Sequence, residues 1–166
     1  MPEQKFNPQI ENEIREKLSG DLQKNALDFV VYIKERGMTT DEIHPNVFRY
    51  HGEAVCVLAL HPNYDENIGW NIYLGDYDST ACSVEYENFP IDKQLKEFAW
   101  SHKHTCGKCG CDNQPGKRFK ILGKEFDNVC TSLMWFGNAS SEELEKLIKL
   151  VDLFKLCIDN KQRTLF

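Results

Sequence analysis

Three cysteines fall within six residues of this chain, in Thr105-Cys-Gly-Lys-Cys-Gly-Cys-Asp112, and no other feature constrains its folding as sharply. Two cysteines at spacing three, Cys106 and Cys109, let a tight turn aim both sulfurs at one ion. Gly107 and Gly110 permit backbone conformations that bring amide N–H groups to the thiolates. Cys111 adds a third thiol. Tetrahedral zinc takes four ligands, so one must come from elsewhere. Reading residues 118–136 as a hairpin about Gly123-Lys124 sets Cys130 opposite Lys117, which lies six residues past Cys111. That makes Cys130 the first-ranked fourth ligand. The placement depends on register, since a slip of one residue turns Cys130 to the other face.

His102 and His104 are rival ligands, because a neutral imidazole also binds zinc and a Cys₃His set is chemically sound. His102 continues an apolar helix face and reads equally as a core histidine. His104 lies just past that helix and reads equally as a loop histidine. A closed four-ligand site is structural. A catalytic zinc keeps one position open and needs an acid or base nearby; Asp112 and Glu125 are close in sequence, but spacing singles out neither. A redox or reactive pair at Cys106 and Cys109 ranks second, because redox Cys-x-x-Cys pairs usually open a helix after a strand, whereas this one follows a helix. An iron–sulfur cluster on the same thiolates ranks third.

The other cysteines, Cys56, Cys82 and Cys157, sit in apolar runs and read as small buried hydrophobes. Seven cysteines is an odd number, and the N-terminal Met-Pro-Glu-Gln-Lys shows no basic segment leading into an apolar one. Both observations point to a reducing, cytoplasmic setting rather than a disulfide framework. The longest apolar run, Ala54 to Leu60, is too short to span a bilayer, so no membrane association is expected. Twenty basic residues stand against 26 acidic ones, a formal charge of −6. That balance argues against a general nucleic-acid binder, although it leaves a local basic patch open. A chain of 166 residues corresponds to one domain and buries enough surface to need neither metal nor disulfide for stability.

Periodicity gives the expected order. Residues 9–19 read as a short amphipathic helix on Ile10, Ile14 and Leu18. A second helix of about 22–36, capped by Asp21 and stopped by Gly37, buries Ala26, Phe29, Val30 and Ile33. Together they form an N-terminal helical segment, 1–37. Over 46–90 the period changes to two. Val47–Tyr50 and Ala54–Leu60 read as a hairpin turning at Gly52, followed by strands at Gly69–Leu74, with Trp70, Ile72 and Leu74 on one face, and at Ala81–Glu87. Residues 91–139 hold a third helix (about 91–103), the cysteine loop and the hairpin. A last helix, 140–160, is opened by a Ser140/Glu143 capping box. The expected fold is α+β: a mostly antiparallel sheet, made of a four-strand meander plus a C-terminal hairpin, with helices packed on one face.

The stretch His104-Thr-Cys-Gly-Lys-Cys-Gly-Cys111, then Pro115-Gly-Lys117, then Gly123-Lys-Glu-Phe-Asp-Asn-Val-Cys130, resembles a set of small uncharacterised bacterial proteins. They share a cysteine–glycine loop, a Gly-Lys-Glu-Phe step, a later Cys and a closing Leu-rich helix. The resemblance spans roughly 90–157 and implies no particular reaction.

Other motifs fail on spacing. Gly116 and Gly123-Lys124 are too far apart for a phosphate loop, and Glu125 replaces the Ser or Thr that would hold Mg²⁺. His44, His51 and His61 lie in or near sheet loops as candidate bases. The acidic loop residues Glu66, Asp76 and Asp78 match no EF-hand spacing. The alternative function is a small-molecule-binding module, with Trp70, Glu85, Trp100 and Trp135, and Tyr73 and Tyr86 beside them, lining an aromatic pocket suited to a cationic ligand. The sequence names no reaction, partner or oligomeric state.

Overall fold

In the computed structural model, residues 6–60, 69–76, 91–107 and 116–165 are described. The fold is α+β; the described residues form four helices and a seven-stranded antiparallel sheet. Helix α1 runs Gln9–Lys17 and buries Ile10 and Ile14, with Leu18 buried just beyond it. Helix α2 runs Gly20–Glu35 from an N-cap at Ser19, two residues before the expected Asp21 cap. Gly20 takes a left-handed φ of 58°, which no other residue tolerates as cheaply; this makes the corner between the helices. The Gln23 side chain holds the corner by donating to the Leu18 carbonyl at 2.6 Å. At the other end, Gly37 (φ 73°) closes a Schellman cap: Met38 N–H donates to Ile33 O at 3.2 Å and Gly37 N–H to Lys34 O at 3.0 Å.

Strands β1 (Thr39–Thr40), β2 (Val47–Tyr50), β3 (Glu53–Leu60) and β4 (Trp70–Asp76) form a meander in chain order. The two-residue β1 carries too little pattern to be visible in the sequence. The expected strand at Ala81–Glu87 lies outside the described residues. Register places Phe48 opposite Cys56, Cys56 opposite Leu74 and Leu58 opposite Ile72, so these five buried side chains share one face. Phe29 of α2 meets this face, with its ring 6.3 Å from both Phe48 and Trp70.

Helix α3 spans Lys93–Ser101 and starts later than expected, because Asp92 is its N-cap and accepts from Leu95 N–H at 2.8 Å. The sequence reading ran this helix directly into the cysteine loop. Instead, a short strand, β5 (Lys103–Thr105), follows at once. Strands β6 (Lys117–Ile121) and β7 (Lys124–Gly137) make the C-terminal hairpin, and helix α4 (Ser141–Thr164) closes the chain behind the expected Ser140/Glu143 capping box. The hairpin is continuous with the meander, since β7 pairs with β4, putting Phe136 beside Ile72 on the buried face. Phe98 of α3 packs on Phe136 at 5.6 Å. Helix α4 joins the same layer through Tyr32, whose hydroxyl donates to Ile148 O at 3.4 Å.

Two glycines with φ near +74° separate backbone strain from crowding. A Cβ on Gly37 would meet nothing within 4 Å, whereas one on Gly75 would stand 2.7 Å from the Phe154 ring. Gly37→Ala therefore costs about 1–2 kcal/mol, the left-handed penalty alone. Gly75→Ala costs a further ~1–3 kcal/mol from overpacking. Urea unfolding of the two variants measures the difference; equal losses would show that Phe154 yields freely.

Candidate metal centre

The middle of β7 is shared by three strands. Met134 pairs with Leu74 of β4 and also with Lys103 of β5, while Val129 pairs with Lys117 of β6 and also with Thr105 of β5. A strand has two edges, so β5 lies along one while β4 and β6 lie end to end along the other. Their seam falls at Cys130 and Thr131. The described ends of the cysteine loop, Thr105-Cys106-Gly107 and Gly116-Lys117, thus reach β7 at the same level from opposite sides.

This corrects the route by which Cys130 was expected to join the loop. The hairpin turns at Leu122-Gly123, both with positive φ (47° and 84°), one residue earlier than Gly123-Lys124. That is a type I′ turn. The earlier turn shifts every partner by two, and an extra residue at Asn128 (φ 57°), a β-bulge, returns one. Val129, not Cys130, therefore faces Lys117. Cys130 meets the loop from the β5 side instead. Cys106 donates its N–H to Asn128 O at 2.8 Å, so Cys106 and Cys130 flank the Thr105–Val129 pair as diagonal neighbours. Such positions stand ~7–8 Å apart, a span that two side chains and Zn–S bonds of about 2.3 Å can close.

Asn128 clasps the neck of the loop. Its carbonyl takes the Cys106 N–H, and its side-chain Nδ2 donates to Cys106 O at 3.1 Å. A Cβ on Gly116 would lie 2.6 Å from the Asn128 backbone carbon, so only glycine passes there. Asn is the non-glycine residue that best tolerates the left-handed region. The sequence reading passed over Asn128; a polar residue after Asp127 in an otherwise alternating strand was the available signal.

The thiols differ in setting. Cys130 is buried, with Sγ 3.9 Å from Thr131 Oγ1, and Cys106 is half-buried. Cys56 and Cys157 are buried as expected, and burial alone pushes the Cys56 thiol well above its usual range, so it stays protonated and inert. Cys82, Cys109, Cys111 and Asp112 lie outside the described residues. Among the described residues no three His, Cys, Asp or Glu side chains stand together as a metal-binding group.

The rival histidines separate. His102 is occupied: Nδ1 donates to Phe98 O at 2.8 Å, the ring stacks on Phe136 at 4.7 Å, and Nε2 lies 3.8 Å from a Glu143 oxygen. It packs at the end of α3 between Phe98 and Phe136. His104 is half-buried, with Nδ1 2.9 Å from Ser132 Oγ and 3.2 Å from Ser132 O. Burial lowers its pKa, which favours neutral imidazole. With Nδ1–H on the carbonyl, Nε2 keeps its lone pair, the arrangement typical of a metal-ligating histidine.

The described residues of the expected aromatic pocket lie apart. Trp70 is wholly buried on the core face, whereas Trp135 pairs with Tyr73 and so points to the opposite face. Trp100 packs on the hairpin, its indole N–H donating to Ile121 O at 2.8 Å. Glu85 and Tyr86 lie outside the described residues. An open depression of about 350 Å³ does occur elsewhere, between α1, the 43–46 loop and β3, with His44 on its wall. His51 sits in the β2–β3 turn, its Nε2 3.5 Å from Asp159. His61 lies outside the described residues. No helix among the described residues is long and apolar enough to cross a membrane. No family model, curated protein or solved structure matches the chain, so its functional reading rests on these side chains alone.

Replacing Asn128 tests the clasp. Asn128→Gly keeps the left-handed backbone and loses one side-chain hydrogen bond, about 0.5–1.5 kcal/mol. Asn128→Ala loses the bond and adds the backbone penalty, a further ~1 kcal/mol or more. Denaturant unfolding should rank wild type above Gly above Ala, and any other order would remove Asn128 from this role.

Proposed function

We propose that this chain is a zinc-binding domain in which Cys106, Cys109, Cys111 and Cys130 hold one ion in a closed, structural site. The observation that carries the reading is the placement of Cys106 and Cys130. They are 24 positions apart in sequence, yet flank one cross-strand pair. The two remaining thiols belong to the segment that joins the two anchored ends. Thiolates select soft and borderline ions, zinc foremost for a four-sulfur tetrahedral set. Four protein ligands leave no position for water, so the ion's work is mechanical: it ties the loop and the β6–β7 hairpin to the end of β5. His104 is the alternative fourth ligand, supported by its half-buried ring with Nδ1 held at Ser132. Free thiols of this kind persist in a reducing compartment, so a cytoplasmic location belongs with the same reading.

Elemental analysis of protein purified without a metal-affinity tag, paired with a native thiol count, tests this directly. The expected result is about one zinc per chain with four thiols protected until a chelator is added. Cys109→Ser and Cys130→Ser should each lose the metal and lower the melting temperature. Cys56→Ala should retain it and cost on the order of 1 kcal/mol of packing. If Cys130→Ser keeps its zinc while His104→Ala loses it, the fourth ligand is the histidine. Metal-free protein with Cys106 and Cys109 disulfide-linked would overturn the zinc reading in favour of a redox pair, and iron with charge-transfer absorbance would replace it with an iron–sulfur cluster.

A further inference from the structure

The hairpin is basic in a chain whose formal charge is −6. Between Lys117 and Val129 it carries Lys117, Arg118, Lys120 and Lys124 against Glu125 and Asp127. Both acids are engaged by Arg118, at 2.6 and 3.7 Å. Alternation along β6 and β7, with Phe119 opposite Phe126 and Ile121 opposite Lys124, puts that neutralised cluster on one face. The other face carries Phe119, Phe126 and Lys124. Lys103 of β5 and Trp100 of α3 complete it. Lys103 Nζ lies 5.1 Å from the Phe126 ring centre, and Lys124 Nζ lies 5.1 Å from Trp100 and 5.4 Å from Phe126. Both lysines are exposed, both rings are half-buried, and among the described residues neither ammonium has a carboxylate partner.

We infer that this face binds single-stranded nucleic acid, with bases on Trp100 and Phe126 and phosphates on Lys103 and Lys124. Net acidity speaks against a general nucleic-acid binder, but a binding surface is set by local charge, and here the acids are drawn to the opposite face. Magnitudes favour exchanging the lysine–ring contacts for a base. An exposed cation–π contact contributes ~0.5–1 kcal/mol, whereas stacking a base on an aromatic ring contributes ~1–3 kcal/mol, and the displaced ammonium gains a phosphate. An acidic peptide would meet the lysines equally well but leave the rings unused. The inference rests on the hairpin face and stands independently of the thiols.

The test is fluorescence anisotropy of a labelled 20-nucleotide oligothymidylate with the whole chain. Wild type should bind, and its affinity should fall about seven- to twenty-fold between 50 and 200 mM salt, the change for two to three phosphate contacts on a single strand. The double variant Lys103→Glu/Lys124→Glu should weaken binding at least tenfold. Lys149→Glu, an exposed site on α4, should leave it unchanged. Phe126→Leu, which keeps an apolar side chain but removes the stacking surface, should weaken it at least threefold with the lysines intact; circular dichroism of each variant shows that it is folded. Absence of binding by wild type at 50 mM salt overturns the inference. So does affinity indifferent to the lysine pair, or competition by polyglutamate as effective as by unlabelled oligonucleotide, which would assign the face to acidic peptides.

Discussion

A single fourteen-residue strand, β7, is the constraint on which the other arrangements depend. Its backbone is hydrogen-bonded along both edges, to β4 and β6 on one side and to β5 on the other. Each such bond contributes only about 1 kcal/mol net, yet one left unmade in a buried position costs ~1–3 kcal/mol. Three chain segments must therefore end where β7 has room for them. The seam between β4 and β6 follows from this, as does the return of both ends of the cysteine loop to the level of Val129. Two asparagines in left-handed backbone mark places where the strand makes such junctions. Asn128 clasps Cys106, and Asn138 (φ 45°), just past the strand, accepts from the N–H groups of Gly69 and Trp70 at 2.8 and 3.1 Å to fix the start of β4. In each, a side chain too short to reach far bonds locally while its backbone adopts a conformation most residues avoid.

The two halves of β7 live in different solvents. From Leu133 onward it carries Met134 and Phe136 in the core, against Leu74 and Ile72. From Lys124 to Asn128 it is mostly exposed and charged, with Phe126 half-buried. The inner half is held by apolar burial, worth roughly 25 cal/mol per Å². The outer half is largely a two-stranded ribbon, a structure of marginal stability in water without further support. Beyond the burial of Ile121, Leu122 and Val129 in the core, with Phe119 and Phe126 packed against it, three local supports are visible: the Arg118 ion pairs, the lysine–aromatic contacts and the indole bond from Trp100 to Ile121. The first two are surface interactions of a few tenths to 1 kcal/mol each. A cross-link at Cys130, where the ribbon leaves the core, would support it far more firmly than any of these.

Legibility in the sequence tracked the range of the interaction. The Ser140/Glu143 box and the Gly37 stop are decided within a turn of helix, and both were visible in the residues. The Trp70, Ile72, Leu74 face is decided by period two and was equally visible. Helix α3 begins two residues later than its periodicity suggests because Asp92 supplies the cap. The hairpin register escaped because Leu122 adopts a positive φ, which an apolar side chain does not advertise, and because the bulge at Asn128 then returned one residue of the slip. Strand β5 escaped because Lys-His-Thr has no apolar alternation; it is a strand only because β7 offers an unpaired edge. The separation of the tryptophans has a related reason. Composition gathers tryptophans, but strand parity assigns them to faces, and Trp70 and Trp135 differ in parity across the β4–β7 register.

The approach of Cys106 to Cys130 therefore owes nothing to the hairpin symmetry that first suggested it. It arises from a strand the sequence did not reveal, pairing on the opposite edge. The same geometry explains why the neck of the loop carries both a glycine and an asparagine. β5 and β6 both pair with Val129 of β7, from either side, and the chain at Gly116 passes so close to the Asn128 backbone that a methyl group would be excluded. A loop so anchored has most of its closure entropy settled by the sheet before any ligand arrives. On the proposed reading, two thiols placed by strand pairing and two more on the joining segment would bind an ion at less ordering cost than four on a free chain. The sheet would thus supply the preorganisation, and an ion held there would in turn fasten the loop to β7.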